Sequence, residues 1–287
     1  MARPKSKSPK PRSPRSGKPE RPDKYVLYSK AVQAPDFEVD FFDRVFKKHR
    51  GRKPVLLRED FCGTAAVCCE WVQRKGPGKG PDRSPRRAIG VDLDPEPLQW
   101  ARDNLLPKLK EPQRDRIELR LDDVRQRHHD HADVLAAQNF SFFCFKTRDE
   151  LRRYFQAAHA NLADDGLMVL DMMGGAECFK EDHADRTKKD GFTYIWEEKR
   201  FDPITHDCRF AIHFKLPGRK TWKNVFQYDW RFWTMPEVRE LLIEAGFAQT
   251  IVYWEGTTSE GEGDGKFRPR QRAAADPAWI AYIVALK

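Results

Sequence analysis

Five short apolar runs recur between Pro54 and Asp171, and four of them end on an acidic residue. Pro54 to Leu57 leads into Glu59, Ala88 to Val91 into Asp92, Ile117 to Leu121 into Asp122-Asp123, and Leu167 to Leu170 into Asp171. The other run, Asp133 to Ala137, leads into Gln138-Asn139-Phe140. Runs this short and this apolar suit strands buried on both faces. Segments of helical periodicity separate them: Ala66, Val67, Trp71 and Val72 after the first, and Leu98, Ala101, Leu105 and Leu106 behind Pro95 after the second. A Thr147/Glu150 capping box opens a helix striped with Leu151, Tyr154, Phe155, Ala158 and Leu162, which Gly166 closes. Strands alternating with helices over this length imply an α/β fold, a mostly parallel sheet with helices on both faces.

A further helix precedes the first strand. Pro35 to Arg50 puts Phe37, Phe41, Phe42, Val45 and Phe46 on one stripe and ends in Lys47, Lys48, His49 and Arg50, where the helix dipole favours cations. The second half changes character. Phe192 to Trp196, Arg209 to Phe214 and Val225 to Trp230 alternate with period two, and Pro217-Gly218 marks a turn, so residues 191–233 read as an antiparallel insertion after the fifth strand. Thr234 and Glu237 cap a helix carrying Val238, Leu241, Leu242 and Ala245, with Gly246 as its stop. Thr250 to Trp254 and Trp279 to Leu286 complete seven strands, joined by a polar, Gly-rich loop.

Charge is distributed unevenly along the 287 residues. The formal net charge of +9 suggests a nucleic-acid or membrane-surface partner. Residues 1–24 alone carry +7, and the basic loop insertion 74–87 carries +5, so everything else carries −3. Residues 1–22 contain six prolines and repeated Ser-Pro steps, the composition of a disordered basic tail; 23–287 is then the folded domain. No apolar run reaches the ~18–20 residues of a membrane span, and the basic start lacks a signal-peptide apolar region, so a cytoplasmic protein with no membrane partner is expected. The six cysteines form no C-x-x-C pair and suit reduced thiols. His128-His129-Asp130-His131 reads as a solvated polar turn, since neighbouring residues on one loop rarely achieve tetrahedral metal geometry; no metal site is expected.

The strand-end acids carry the chemistry. In open parallel sheets ligands bind beyond the carboxyl ends of the strands, where strand order reverses. A carboxylate after the second strand, here Asp92, accepts both hydroxyls of a ribose, although an acid in that place is also a common helix cap. Gly63, in the first strand-to-helix turn, lets a ligand approach the backbone.

These segments resemble a class I S-adenosylmethionine-dependent methyltransferase, a Rossmann-like family. Leu57-Arg58-Glu59-Asp60-Phe61-Cys62-Gly63-Thr64-Ala65 is similar to its first motif, with Glu59 as the acid and Gly63 as the central glycine; Phe61 and Ala65 stand where flanking glycines are usual. Gly90-Val91-Asp92-Leu93-Asp94 resembles the second motif, which implies Asp92 as ribose ligand and Leu93 against the adenine. The third and fourth motifs imply Asp123 as partner of the adenine amino group and place Gln138 and Asn139 near the methyl group. The resemblance, good over residues 54–172, implies S-adenosylmethionine as cofactor and methyl transfer to an acceptor, more readily a small molecule because the body lacks a basic face.

Arg58 is either a partner for the cofactor carboxylate or half of a surface ion pair. A methyl transfer of this kind has no obligatory catalytic base; His213 and Tyr228 are candidates, with a structural role favoured for both. Residues 191–233 hold twelve aromatics in 43 positions, which frames a choice between a substrate lid lined by Trp196, Tyr228 and Trp230 and plain packing on the main sheet. Tyr25 and Tyr28 are placed to close the pocket from the N-terminal side. Two rival readings remain: a nicotinamide-dependent oxidoreductase, which lacks its G-x-G-x-x-G here, and a nucleic-acid binder or RNA methyltransferase using the tail.

Overall fold

A computed structural model describes residues 21–78, 84–259 and 263–287. Most of the expected tail (1–20) and residues 79–83 of the expected basic loop lie outside the described residues. In chain order the elements are α1 (Lys24–Val32), α2 (Pro35–Arg50), β1 (Leu56–Asp60), α3 (Ala66–Gln73), β2 (Arg87–Asp92), α4 (Pro95–Asn104), α5 (Glu111–Arg114), β3 (Ile117–Leu121) and β4 (Ala132–Ala137). Next come α6 (Arg148–Asn161), β5 (Leu162–Gly174), β6 (His183–Lys189), β7 (Phe192–Phe201), β8 (Asp207–Lys215), β9 (Trp222–Arg231), α7 (Met235–Glu244), β10 (Gln249–Thr257), β11 (Gly263–Arg270) and β12 (Trp279–Leu286).

The main sheet has the order β11-β10-β12-β5-β4-β1-β2-β3. Its strands β3, β2, β1, β4 and β5 are parallel, and β12 runs antiparallel between β5 and β10. Chain order reverses between β1 and β4, so the ends of these two strands define the crevice where a ligand of such a sheet sits. Strand alternation divides the core in two. Leu57, Val134, Leu167 and Val169 face α2 and α3, while Leu135, Met168 and Leu170 face α6 and α7. On α2, Phe41, Phe42, Val45 and Phe46 are buried as the stripe requires, each contributing roughly 1.5–3 kcal/mol, and Gly51 ends the helix at φ +71°. Both expected capping boxes form, at Thr147/Glu150 and Thr234/Glu237.

The sheet has eight strands where the sequence suggests seven. The extra one, β11, pairs antiparallel with β10 at the edge, and Phe267 is its only large apolar residue. An edge strand like this is held by backbone pairing, so its polar, Gly-rich sequence reads as a loop. The antiparallel insertion is a four-stranded sheet, β6-β7-β8-β9, spanning 183–231 rather than 191–233. Its first strand, His-Ala-Asp-Arg-Thr-Lys-Lys, is another polar edge. The basic segment 74–87 also ends inside the fold. Arg86 is fully buried, its guanidinium over the Trp71 ring and bonded to both Asp43 oxygens, and Arg87 opens β2.

Candidate active site

The turn after β1 is built from left-handed residues. Phe61, Gly63 and Ala65 have φ of 57°, 51° and 54°, which brings the Gly63 N–H onto Asp92 Oδ2 at 2.7 Å. The other Asp92 oxygen accepts from the Asp94 N–H at 2.9 Å, so Asp92 ties the ends of β1 and β2 together. A Cβ on Gly63 would meet nothing within 4 Å, because this turn faces an open cavity. Gly90 serves the layer beneath: a Cβ there would stand 2.9 Å from Cys62 Sγ and from Leu119. Glu59 accepts from the Cys68 N–H at the start of α3, and burial pushes its carboxyl up to about 7.

Across the crevice, Asn139 and Phe140 follow β4 with φ of 59° and 56°. Their N–H groups both donate to the Asp171 carboxylate at the far side of β5, at 3.1 and 3.0 Å. Two consecutive non-glycine residues in this region are costly, and the buried Asp171 holds them there. Gln138 donates to the Val169 carbonyl, leaving its buried Oε1 without a hydrogen-bond partner. Glu59, Gly63, Asp92, Gln138 and Asn139 thus line one cavity of about 410 Å³, with Tyr25 and Tyr28 of α1 on its N-terminal side.

A second cavity, about 440 Å³, lies between the antiparallel sheet and the ends of β5 and β12. It shares Tyr28, Asn139 and Tyr228 with the first. Tyr28 and Tyr228 thus stand together at the junction of the two cavities, and burial pushes Tyr28 up to about 12. Helix α1 is held over this junction by three contacts. Lys24 pairs with Glu96 at 2.6 Å, Trp100 donates to Asp23, and Leu27 packs with Phe192, Ile212 and Phe214 of the antiparallel sheet.

Five of the eight residues selected from sequence therefore line the first cavity, and three do not. Arg58 is completely buried on the opposite face of β1 from Glu59, as period-two alternation requires. It donates to Asp60 at 2.7 Å, Asp130 at 2.6 Å and the Val124 carbonyl, so it is neither a surface pair nor aimed at the cavity. Leu93 is largely exposed, outside the lining. Asp123 is gripped by the Arg125 guanidinium, which holds its carboxyl below the usual range. His213 also stands apart. Its Nδ1 accepts the Asn224 N–H at 2.7 Å, which leaves Nε2–H to donate to Glu197 at 2.9 Å. Trp196, Tyr228 and Trp230 do line the second cavity. Among the lining residues passed over in sequence are Gln33 and Asp60 in the first cavity and Glu177, Asp185, Glu198 and Glu255 in the second. Asp171 was legible as a strand end, but not as the support of the Asn139 turn. In the His128 loop, both the His128 and His129 N–H groups donate to Asn161 Oδ1. Five of the six cysteines are buried thiols, and burial raises those five.

The strand order, the antiparallel β12 and the crevice between β1 and β4 define the class I S-adenosylmethionine-dependent methyltransferase fold. Solved structures with this arrangement are similar over nearly the whole chain. A S-adenosylmethionine-dependent methyltransferase from Clostridium acetobutylicum is 14% identical, with a TM-score of 0.64 covering 91% of this chain and 96% of that one. A S-adenosylmethionine-bound amino pentose methyltransferase from Micromonospora echinaspora is 18% identical, with a TM-score of 0.62 covering 94% and 99%. The sugar N-methyltransferase KedS8 from Streptoalloteichus is 16% identical, with a TM-score of 0.60 covering 98% and 99%. No protein-family model and no curated protein matches the sequence. Among the described residues, no helix is long and apolar enough to cross a membrane.

Proposed function

We propose that this chain transfers the methyl group of S-adenosylmethionine to a small-molecule acceptor. The observation that carries this reading is the pair of adjoining cavities, one at the strand ends and one under the antiparallel sheet, sharing Tyr28, Asn139 and Tyr228. The first has acceptors that suit a nucleoside cofactor. Asp92 accepts from ribose hydroxyls, Gly63 leaves room for close backbone approach, and the unpartnered Gln138 Oε1 supplies an acceptor inside the cavity. When bound there, the cofactor supplies an electrophilic methyl on a sulfonium, the leaving group being its own thioether.

The chain's residues then position, enclose and desolvate. Asn139, on its Asp171-pinned turn, stands at the passage between the cavities, and the Tyr28–Tyr228 pair closes that passage against water. The antiparallel sheet and α1 together act as the acceptor lid. The amino pentose and sugar N-methyltransferases that share the fold support a small-molecule acceptor. In the Asp92→Ala variant, calorimetry is expected to show S-adenosylmethionine binding roughly ten- to a hundredfold weaker, at an unchanged circular dichroism spectrum. Undiminished affinity would overturn the site.

A further inference from the structure

We propose that the acceptor is an amine, received in the second cavity by the buried carboxylate of Glu198. This rests on the methyl-transfer reading above and specifies its substrate. Period-two alternation along β7 turns Tyr194, Trp196 and Glu198 to the same face, and all three line the cavity. Tyr228 and Trp230 of β9 add two more aromatic walls. At the opposite side Trp279 packs onto Gly174, where a Cβ would stand 2.0 Å from its ring, so the absence of a side chain at 174 lets the indole form the floor.

The charges in this cavity are all of one sign. Glu177, Asp185, Glu198 and Glu255 line it, and none of the described lining residues is a lysine, arginine or histidine. Three of the four carboxylates are engaged elsewhere: Glu177 by Lys180 at 2.8 Å, Asp185 by His183 at 3.1 Å, and Glu255 by the Gly265 N–H at 2.8 Å. Glu198 differs. It is 6% exposed, and its buried Oε2 has no hydrogen-bond partner. A buried carboxylate oxygen without a hydrogen-bond partner is costly; burial raises the Glu198 proton affinity, Asp185 and Glu177 add to it, and the charges of His183, its cross-strand neighbour, and Lys180 oppose it without bonding that oxygen. A cationic ligand removes that cost, and aromatic walls attract a cation further through their ring faces. One free carboxylate among indoles and phenols suits an organic ammonium; a metal ion would need several oxygen ligands.

The transfer balances with these groups. The bound ammonium gives one proton to the Glu198 carboxylate, and the freed nitrogen lone pair forms the new N–C bond. The sulfonium C–S bond breaks with its electron pair going to sulfur, which leaves a neutral thioether and a methylated ammonium. No oxidant or reductant is needed.

The test titrates wild-type protein and Glu198→Gln, each free and loaded with S-adenosylhomocysteine, with 2-phenylethylamine and its hydroxyl counterpart 2-phenylethanol. Calorimetry and tryptophan fluorescence read the binding. Wild type is expected to bind the amine at least tenfold more tightly than the alcohol, and Glu198→Gln to lose that preference while its S-adenosylhomocysteine affinity stays within twofold, which also reports an intact fold. In a radiolabelled-methyl assay, D-glucosamine is expected to accept label in preference to D-glucose. Equal binding of amine and alcohol, no binding of either, or an unchanged preference in Glu198→Gln would each overturn the amine assignment even where S-adenosylhomocysteine binds. An amine preference in a protein that fails to bind S-adenosylhomocysteine would instead overturn the methyl-transfer reading.

Discussion

Three carboxyls at the heart of the molecule are pushed upward by burial: Glu38 to about 8, Glu59 to about 7 and Asp171 to about 7. For Glu38, the charges of Asp171 and Glu59 add to the effect. Each folded value lies above the unfolded one, so folding favours the neutral form. The stability gained is complete below the ordinary carboxylate range and is lost as pH rises through about 7 to 8. Glu38→Gln removes one of these groups from a helix face that otherwise packs normally. It is expected to raise the thermal midpoint relative to wild type at pH 9, by roughly 2–4 °C for each kcal/mol relieved, with the gap shrinking toward pH 5. Calorimetric scans showing the same gap at both pH values would refute the coupling. Arg58 shows the same burial with the opposite outcome, because Asp60 and Asp130 lie within hydrogen-bond reach and keep it charged.

At the scale of elements, α1 joins the two sheets. Its Asp23 cap accepts from Tyr25 and Val26, its Tyr25 ring packs on Trp100 of α4, and its Leu27 fills the small core of the antiparallel sheet. Neither core of the main sheet includes an α1 residue. A chain beginning at residue 33 is therefore expected to keep its far-ultraviolet circular dichroism, less one short helix, and to bind S-adenosylhomocysteine at least tenfold more weakly. Unchanged affinity in that truncation would show that α1 does not close the cofactor cavity.

At the scale of the whole molecule, basicity and the candidate site separate. Residues 1–20 carry seven basic residues and one acid of a chain whose formal charge is +9, while the second cavity is lined by carboxylates. Removing 1–20 is expected to abolish salt-sensitive retention on heparin and to leave S-adenosylhomocysteine affinity within twofold. A parallel loss of cofactor affinity would place the tail in the site. Arg86 marks the limit of reading charge by segment, since it counts with a basic run yet is sealed against Trp71 and Asp43.

The alternation of strands and helices, the caps and the acid at the end of β2 are local signals, so periodicity and spacing alone determined the fold class and pointed to Glu59, Gly63 and Asp92, while Gln138 and Asn139 came from the resemblance to the methyltransferase motifs. The polar edge strands β6 and β11 left no such trace, because backbone pairing rather than apolar burial holds them. Which acids remain free was decided only in three dimensions. Arg58 turned from the cavity because it alternates with Glu59, Asp123 was taken by Arg125, and Asp171 was spent on the Asn139 turn. Glu198 kept an open oxygen because β7 faces it into a space lined by no described cation. Partnership between side chains far apart in sequence depends on where the sheets bring them, and no spacing along one chain encodes that.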